Sequence, residues 1–272
     1  MPYSVIFTEG ASDSALLTGA FTRIGFSSCR KLSEIPESIV AHFPKAFPAS
    51  GDLLNRVNSY PEVLVNEDHY VAIINTGGLS KLGAALKKSV LLIKEELPAR
   101  AIVFVDADDE AELQRFQTVS ETVSEHFIEF ANSRLGVEGI NAPETIGEIK
   151  SGVVDTGVYI WPGAGLAGTL ERVLLDGVRV EFPDVFELLD PVPEEVLRRY
   201  TPDHEICRIL SSGFNTDKAK ATMMGGAISP GANFNVYISK ESRRLDRFFS
   251  APALARLLEF LERAFTSEQA NV

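Results

Sequence analysis

Apolar positions along this chain follow two rhythms. Short, nearly uninterrupted apolar runs occur at Tyr3 to Thr8 (YSVIFT), Tyr70 to Asn75 (YVAIIN), Ala101 to Val105 (AIVFV) and Gly157 to Trp161 (GVYIW). Runs this short, rich in β-branched and aromatic residues, predict strands buried on both faces, as in a parallel sheet. Between them, apolar residues recur at helical spacing. Leu16, Leu17, Ala20, Phe21 and Ile24 mark a helix over Ser14 to Ile24. A second helix spans Leu79 to Leu97. Phe116, Val119, Val123, Phe127 and Phe130 mark a third, from Ala111 to about Arg134, which Gly136 ends. The strand–helix alternation predicts an α/β fold with a mostly parallel sheet and helices on both faces.

Two regions depart from this rhythm. Lys31 to His69 carries Pro36, Pro44, Pro48 and Pro61 and reads as an insertion packed beside the sheet. Short helices are expected at Ile35 to Phe43 and Asp52 to Val57, since a plain loop of that length would be unusual. Beyond Gly168 the pattern turns helical. Thr169 to Leu175, Phe182 to Leu189, Pro193 to Tyr200, His204 to Leu210, Thr216 to Gly225 and Ala253 to Phe265 are helix candidates, and Asn235 to Ser239 (NVYIS) reads as an edge strand. The predicted organisation is an α/β domain over residues 1–168, with the insertion at about 31–69, and an α-rich extension or lobe over 169–272.

Composition narrows the partners. The net charge of −12, from 26 basic and 38 acidic residues, argues against a broad electrostatic footprint for nucleic acid. It leaves room for a local basic groove or a protein partner. No stretch approaches the roughly 18 apolar residues of a membrane span, and no signal peptide is evident at the N-terminus. Cys29 and Cys207 stand far apart, outside any metal-ligand spacing, and predict inert thiols in a reducing, cytoplasmic setting. The oligomeric state is not legible.

Candidate chemistry gathers at the strand ends, where open parallel sheets place their ligand crevice. The third strand runs into Asp106-Ala107-Asp108-Asp109. In an extended segment, residues two apart point to the same side. Two convergent carboxylates call for a cation, and hard oxygen ligands suit Mg²⁺. The competing reading is an acidic solvated turn, with Asp108 or Asp109 capping the next helix. Glu9 and Asp13 follow the first strand and could equally cap the helix there. Gly77-Gly78 follows the second. Lys218 and Lys220 are candidate phosphate contacts or part of a solvated face, and Glu171 reads by itself as a solvated helix residue.

Gly163-Ala164-Gly165-Leu166-Ala167-Gly168 fits the G-x-G-x-x-G of dinucleotide-binding proteins. The fingerprint also requires a crossover helix, a second strand and then an acid. Val178 to Glu181 offers such a strand, but this leaves only Thr169 to Asp176 for a crossover that normally needs about 10–12 residues. Pro162 interrupts the entry as well. A flexible glycine-rich loop beside the acidic crevice is the simpler reading, and a dinucleotide enzyme the weaker alternative.

The ordered set Glu9-Gly10-x-x-Asp13, Gly77-Gly78 and Asp106-x-Asp108 resembles the Toprim domain of topoisomerases, primases and OLD-family nucleases. The run GVYIWPGAGLAGTLE from Gly157 to Glu171, together with Lys218-Ala219-Lys220-Ala221, resembles the DUF3226 branch of Toprim-related proteins, and the likeness then covers most of the chain. The resemblance implies a Toprim-like fold. It implies Glu9 as general acid or base and metal ligand, and Asp106 and Asp108 as ligands to Mg²⁺ (or Mn²⁺). Gly77 or Gly78 would be the backbone turn at the site, with Asp13, Asp109 and Glu171 as extra ligands or supporting groups. The expected chemistry is phosphodiester hydrolysis or nucleotidyl transfer on nucleic acid or nucleotide. The alternative is a non-catalytic binding or regulatory protein that keeps the fold. The zinc ribbon, ATPase domain and catalytic tyrosine of the larger enzymes have no counterpart here, so strand passage and primer synthesis are not expected.

Overall fold

The computed structural model describes residues 2–45, 60–67, 69–93, 96–239 and 245–266. The helix expected at Asp52 to Val57 lies outside them. Two compact units emerge: residues 1–105 with 113–160, and residues 106–112 with 161–272.

The first unit is built on a sheet of seven strands. They are β1 (Tyr3–Thr8), β2 (Ser27–Ser28), β3 (Glu62–Asn66), β4 (His69–Asn75), β5 (Arg100–Asp106), β6 (Ile149–Lys150) and β7 (Asp155–Trp161), and they lie in the order β2-β3-β4-β1-β5-β7-β6. β1 pairs in parallel with both β4 and β5, so Thr8 lies opposite Asn75 on one side and Phe104 on the other. Every residue of β1 is buried, and so is every residue of β5 but the last. Burial on both sides is why these segments are continuously apolar rather than alternating.

The edges differ from the sequence reading. Glu62–Asn66, expected within a packed insertion, is a strand antiparallel to β4, and β2 extends that edge. Glu67 has φ +49, in the short turn between β3 and β4. The strand was hidden because EVLVN is brief and sits between prolines and acids. At the other edge β6 pairs antiparallel with β7. The sheet is thus mixed, with a parallel centre.

The helices of this unit are α1 (Ala11–Arg23), α2 (Glu37–Val40), α3 (Leu82–Leu92), α4 (Glu112–Val123) and α5 (Phe130–Leu135). α4 and α5 are joined by a π-helical stretch, Ser124–Glu129, so the expected long helix is continuous but carries a widened turn. Phe116, Val119, Val123 and Phe127 are buried as their spacing predicts, while Phe130 is only partly covered. Gly136 closes α5 at φ +66, the left-handed C-terminal position that glycine occupies without strain. Gly83 of α3 meets His126 of the π turn so closely that a Cβ there would lie 2.1 Å from the ring.

The second unit is helical: α6 (Leu170–Glu181), α7 (Pro183–Leu189), α8 (Val192–Arg199), α9 (Glu205–Leu210), α10 (Asn215–Ile228), α11 (Phe234–Ile238), α12 (Asp246–Phe249) and α13 (Pro252–Phe265). α6 packs against α7, α10, α12 and α13. Leu170, Val173, Leu174, Leu175 and Val178 supply its buried face. Two expectations are corrected here. Phe234–Ile238 is helical, not an edge strand; Asn233 caps it by accepting from Asn235 N–H at 3.0 Å. Val178 to Glu181 is the last turn of α6, not a strand. The helix after the glycine-rich loop is therefore 12 residues long, and α7 follows it rather than the second strand of a dinucleotide fold. No helix among the described residues is long and apolar enough to cross a membrane.

Candidate functional site

The sequence-predicted residues divide between the two units. In the first, Glu9 leaves β1 and is gripped by the turn that leaves β4. Its carbonyl accepts from Gly77 N–H at 3.1 Å and Gly78 N–H at 3.0 Å. Its carboxylate Oε2 accepts from Leu79 N–H at 3.2 Å. Gly77 (φ +77) and Gly78 (φ +115) hold conformations that side chains resist, and that is what lets two successive amides reach one carbonyl. Thr76 fastens the same turn by donating from Oγ1 to the Thr8 carbonyl at 3.0 Å. Asp13, 5% exposed, turns back on its own helix: Oδ2 accepts from Gly10 N–H at 3.0 Å. That is the first-turn carboxylate position at a helix start.

In the second unit, residues 106–112 are fastened to residues 161–170. Ala107 N–H donates to the Trp161 carbonyl at 2.8 Å. Asp108 and Gly168 exchange both backbone hydrogen bonds, each at 2.9 Å. Asp106 Oδ1 accepts from Leu170 N–H at 2.8 Å, and Glu112 Oε2 accepts from Gly165 N–H. The glycine-rich loop is thus a structural partner of the acidic segment. Its conformation explains its composition: Gly163, Ala164, Gly165 and Gly168 all have positive φ.

The geometry alters one premise. Asp108 has φ +53, a left-handed conformation that Asp and Asn tolerate better than most residues. The simple extended alternation that would set Asp106 and Asp108 side by side therefore stops short of Asp108. The acidic segment also caps a helix far along the chain. Thr169, the residue before α6, makes no side-chain cap; its hydroxyl donates instead to Glu171 Oε2 at 2.6 Å. Asp106 takes over, from 64 positions away.

Glu171 is thereby engaged beside Thr169. Asp109 is exposed and unpartnered among the described residues. Lys218 is exposed, whereas Lys220 is drawn inward. Lys220 Nζ lies 3.0 Å from Asp190 and 2.8 Å from Glu194. Burial pulls its pKa down, but the bonds to Glu194 and Asp190 outweigh that and raise it, so it stays charged and already has two anionic partners. Trp161 is fully buried, a core residue.

Two features escaped the sequence reading. Glu112, 6% exposed, holds the Gly165 amide; as the first residue of a solvated-looking helix, it gave no warning. Arg172 bonds to Asp217 at 2.9 Å and to the Ala167 carbonyl at 2.9 Å, tying the end of the loop to α10.

No group of three or more His, Cys, Asp and Glu side chains among the described residues is arranged to hold a metal ion. Mg²⁺ is commonly held by one or two carboxylates, with waters and substrate phosphates completing the shell. Asp106 and Asp108 are carboxylates of the donor type that Mg²⁺ takes in this open mode, not a closed protein cage.

The crystal structure of a hypothetical protein from Pyrococcus horikoshii OT3 is similar over 95% of this chain and 98% of that one, at 18% identity and a TM-score of 0.50. It supports the fold and carries no activity with it. A search of curated proteins finds no match. The family model described as a protein of unknown function, DUF3226, matches residues 3–266. The chain therefore belongs to the DUF3226 family.

Proposed function

We propose that this protein performs Mg²⁺-dependent phosphoryl transfer, hydrolysing or transferring a phosphodiester of nucleic acid or a nucleotide, in the manner of the Toprim domains it resembles. The observation that carries this reading is the strand order. β4, β1 and β5 are adjacent and parallel, and they are followed by Gly77-Gly78, Glu9 and Asp106-x-Asp108 respectively. The carboxyl ends of such strands are where open α/β sheets carry their ligands. Asp106 and Asp108 are assigned to the metal. When bound, Mg²⁺ would supply positive charge against that developing on the phosphoryl oxygens. Glu9 is assigned proton transfer, with its backbone fixed by the two glycine amides. The acidic balance of the chain favours a nucleotide or a short single strand over long duplex DNA.

Asp108→Asn is the cleanest probe. Asn accepts the left-handed backbone as readily as Asp, so the charge is removed with the turn preserved. Mn²⁺ binding by electron paramagnetic resonance, with hydrolysis of a nucleotide, DNA and RNA panel in Mn²⁺, should show both lost in this variant. Glu9→Gln should lower turnover by about 10²-fold or more. Wild-type protein that binds no Mg²⁺ or Mn²⁺ and is indistinguishable from Asp108→Asn would sink the reading.

A second reading has its own support. Both Asp106 and Glu9 already serve structure, each accepting from the backbone amide that begins another segment. A binding or regulatory protein that retains the fold without turnover would keep these bonds for stability alone. Metal binding without hydrolysis of any panel member would favour it.

A further inference from the structure

We propose that the exposed face of α3 is a docking surface for single-stranded nucleic acid, gripping its phosphate backbone as the strand approaches Glu9. The inference deepens the phosphoryl-transfer reading and rests on it for the direction in which the strand is led.

The charge pattern is local. From Val71 to Ile93 the chain carries Lys81, Lys87 and Lys88 and no Asp or Glu, in a protein whose net charge is −12. Helical spacing sorts this segment into two faces. Leu82, Leu86, Ser89 and Val90 are buried, while Lys81, Ala84, Lys88 and Leu91 are exposed. Steps of three, four and three residues set those four along one side. Ala84, between the two lysines, is too short to hold a backbone away from them.

None of the three lysines has a carboxylate partner among the described residues. Lys87 lies instead over the Phe130 ring, at 5.8 Å. Other cations of the same unit are matched: Lys31 to Glu34, Arg100 to Asp155, and Lys150 to Glu144 and Glu148. Lys81 also stands where the helix gains nothing from it. It is the N-terminal cap residue of α3 and makes no side-chain bond there, and a cation at that end opposes the macrodipole. The stability of α3 does not account for that position, whereas an incoming anion would use it.

The stripe starts at the candidate site. A Cβ on Gly77 would lie 3.4 Å from Lys81 Nζ and 3.7 Å from its Cδ. The lysine chain therefore lies back over the turn whose amides hold the Glu9 carbonyl. Lys88 follows seven residues later, about 10 Å along the helix axis. Three nucleotides of a stacked strand rise by about the same distance, at roughly 3.4 Å each. Two or three phosphate contacts suit a short strand, and the acidic remainder of the chain disfavours a duplex.

Fluorescence anisotropy of a fluorescein-labelled oligothymidylate of about 12 nucleotides, in EDTA, tests this without turnover. Lys81→Gln and Lys88→Gln should each weaken binding by about 5- to 10-fold at about 50 mM KCl, and each should lower the slope of log Kd against log salt by about 0.7. Lys88→Arg should keep both at wild-type values. Lys31→Gln, at an exposed lysine already matched to Glu34, should leave the slope unchanged. Failure to bind the strand, either Gln variant binding as wild type does, or Lys88→Arg as weak as Lys88→Gln would overturn the proposal. So would lysine-dependent binding of phosphatidylserine vesicles or polyglutamate with none of the oligonucleotide. Asp108→Asn should keep the lysine dependence while losing hydrolysis, so failure here and failure of the phosphoryl-transfer reading are read separately.

Discussion

Removing the Asp106 carboxylate should destabilise the second unit through a helix that starts 64 residues later. Asp106 Oδ1 takes the Leu170 amide at 2.8 Å, and Leu170 is 2% exposed, so water is poorly placed to replace the lost acceptor. A hydrogen bond to a charged group contributes about 1.5–3 kcal/mol, and a carboxylate at a helix N-terminus adds about 0.3–1 kcal/mol through the macrodipole. Asp106→Ala forfeits both, and the expected cost is about 2–4 kcal/mol. Asp106→Asn keeps an oxygen facing the amide and loses only the charge, so about 1 kcal/mol is expected. Urea denaturation followed by far-ultraviolet circular dichroism reads this as a fall in midpoint at unchanged slope. The ordering Ala well below Asn, with Asn near wild type, is the signature of a cap. If Asn is as damaging as Ala, or if both lie within about 0.5 kcal/mol of wild type, the capping argument is refuted. Metal binding by the same proteins adds a second axis. A ligand role makes Asn as deficient as Ala in Mn²⁺ affinity, even where stability is nearly restored.

Arg100 begins β5 at 4% side-chain exposure, with Asp155 at 3.7 Å; Asp155→Ala takes that carboxylate from a buried guanidinium, and equilibrium unfolding should show a loss of about 1–3 kcal/mol. His42 is held neutral by burial and by the nearby charge of Lys88, which push its pKa down to about 4. The unfolded chain then takes up a proton near pH 6.5 that the folded chain refuses, so this stabilisation is complete above about pH 6.5 and declines as pH falls to about 4, by about 3 kcal/mol in all. His42→Gln should flatten the stability–pH curve across that window. A Cβ on Gly177 would lie 2.4 Å from the Phe248 ring, so Gly177→Ala should separate α6 from α12 and cost about 1–3 kcal/mol in Tm-derived stability; a neutral effect would mean that contact is looser than described.

Much of the sheet was written in local pattern. The strands β1, β4, β5 and β7 were legible because burial on both faces leaves a continuous apolar run, and no alternation obscures it. The helices α1, α4 and α13 were legible from their stripes. The missed strand β3 and the helix Phe234–Ile238 share a different cause. Five residues hold too little periodicity to separate strand from helix, and the outcome rests on neighbours: β4 beside Glu62–Asn66, and the Asn233 cap before Phe234.

The site divides along the same line. The order Glu9, Gly77-Gly78, Asp106-x-Asp108 could be read directly, because a parallel sheet sends successive strand ends to one edge. What each group touches could not. That Gly77 and Gly78 both bond the Glu9 carbonyl, that Asp106 caps α6, and that Glu112 holds the glycine-rich loop are contacts between residues 53 to 69 positions apart. The pairing of Lys220 with both Asp190 and Glu194 is of the same kind. By itself the sequence determined which short runs are buried strands and which stripes are helix faces, for these follow from periods of two and 3.6 along the chain. Only the tertiary structure decided which carboxylates are committed to amides and which acids hold Lys220, because hydrogen bonds and ion pairs are settled by distance in space, which local spacing does not encode.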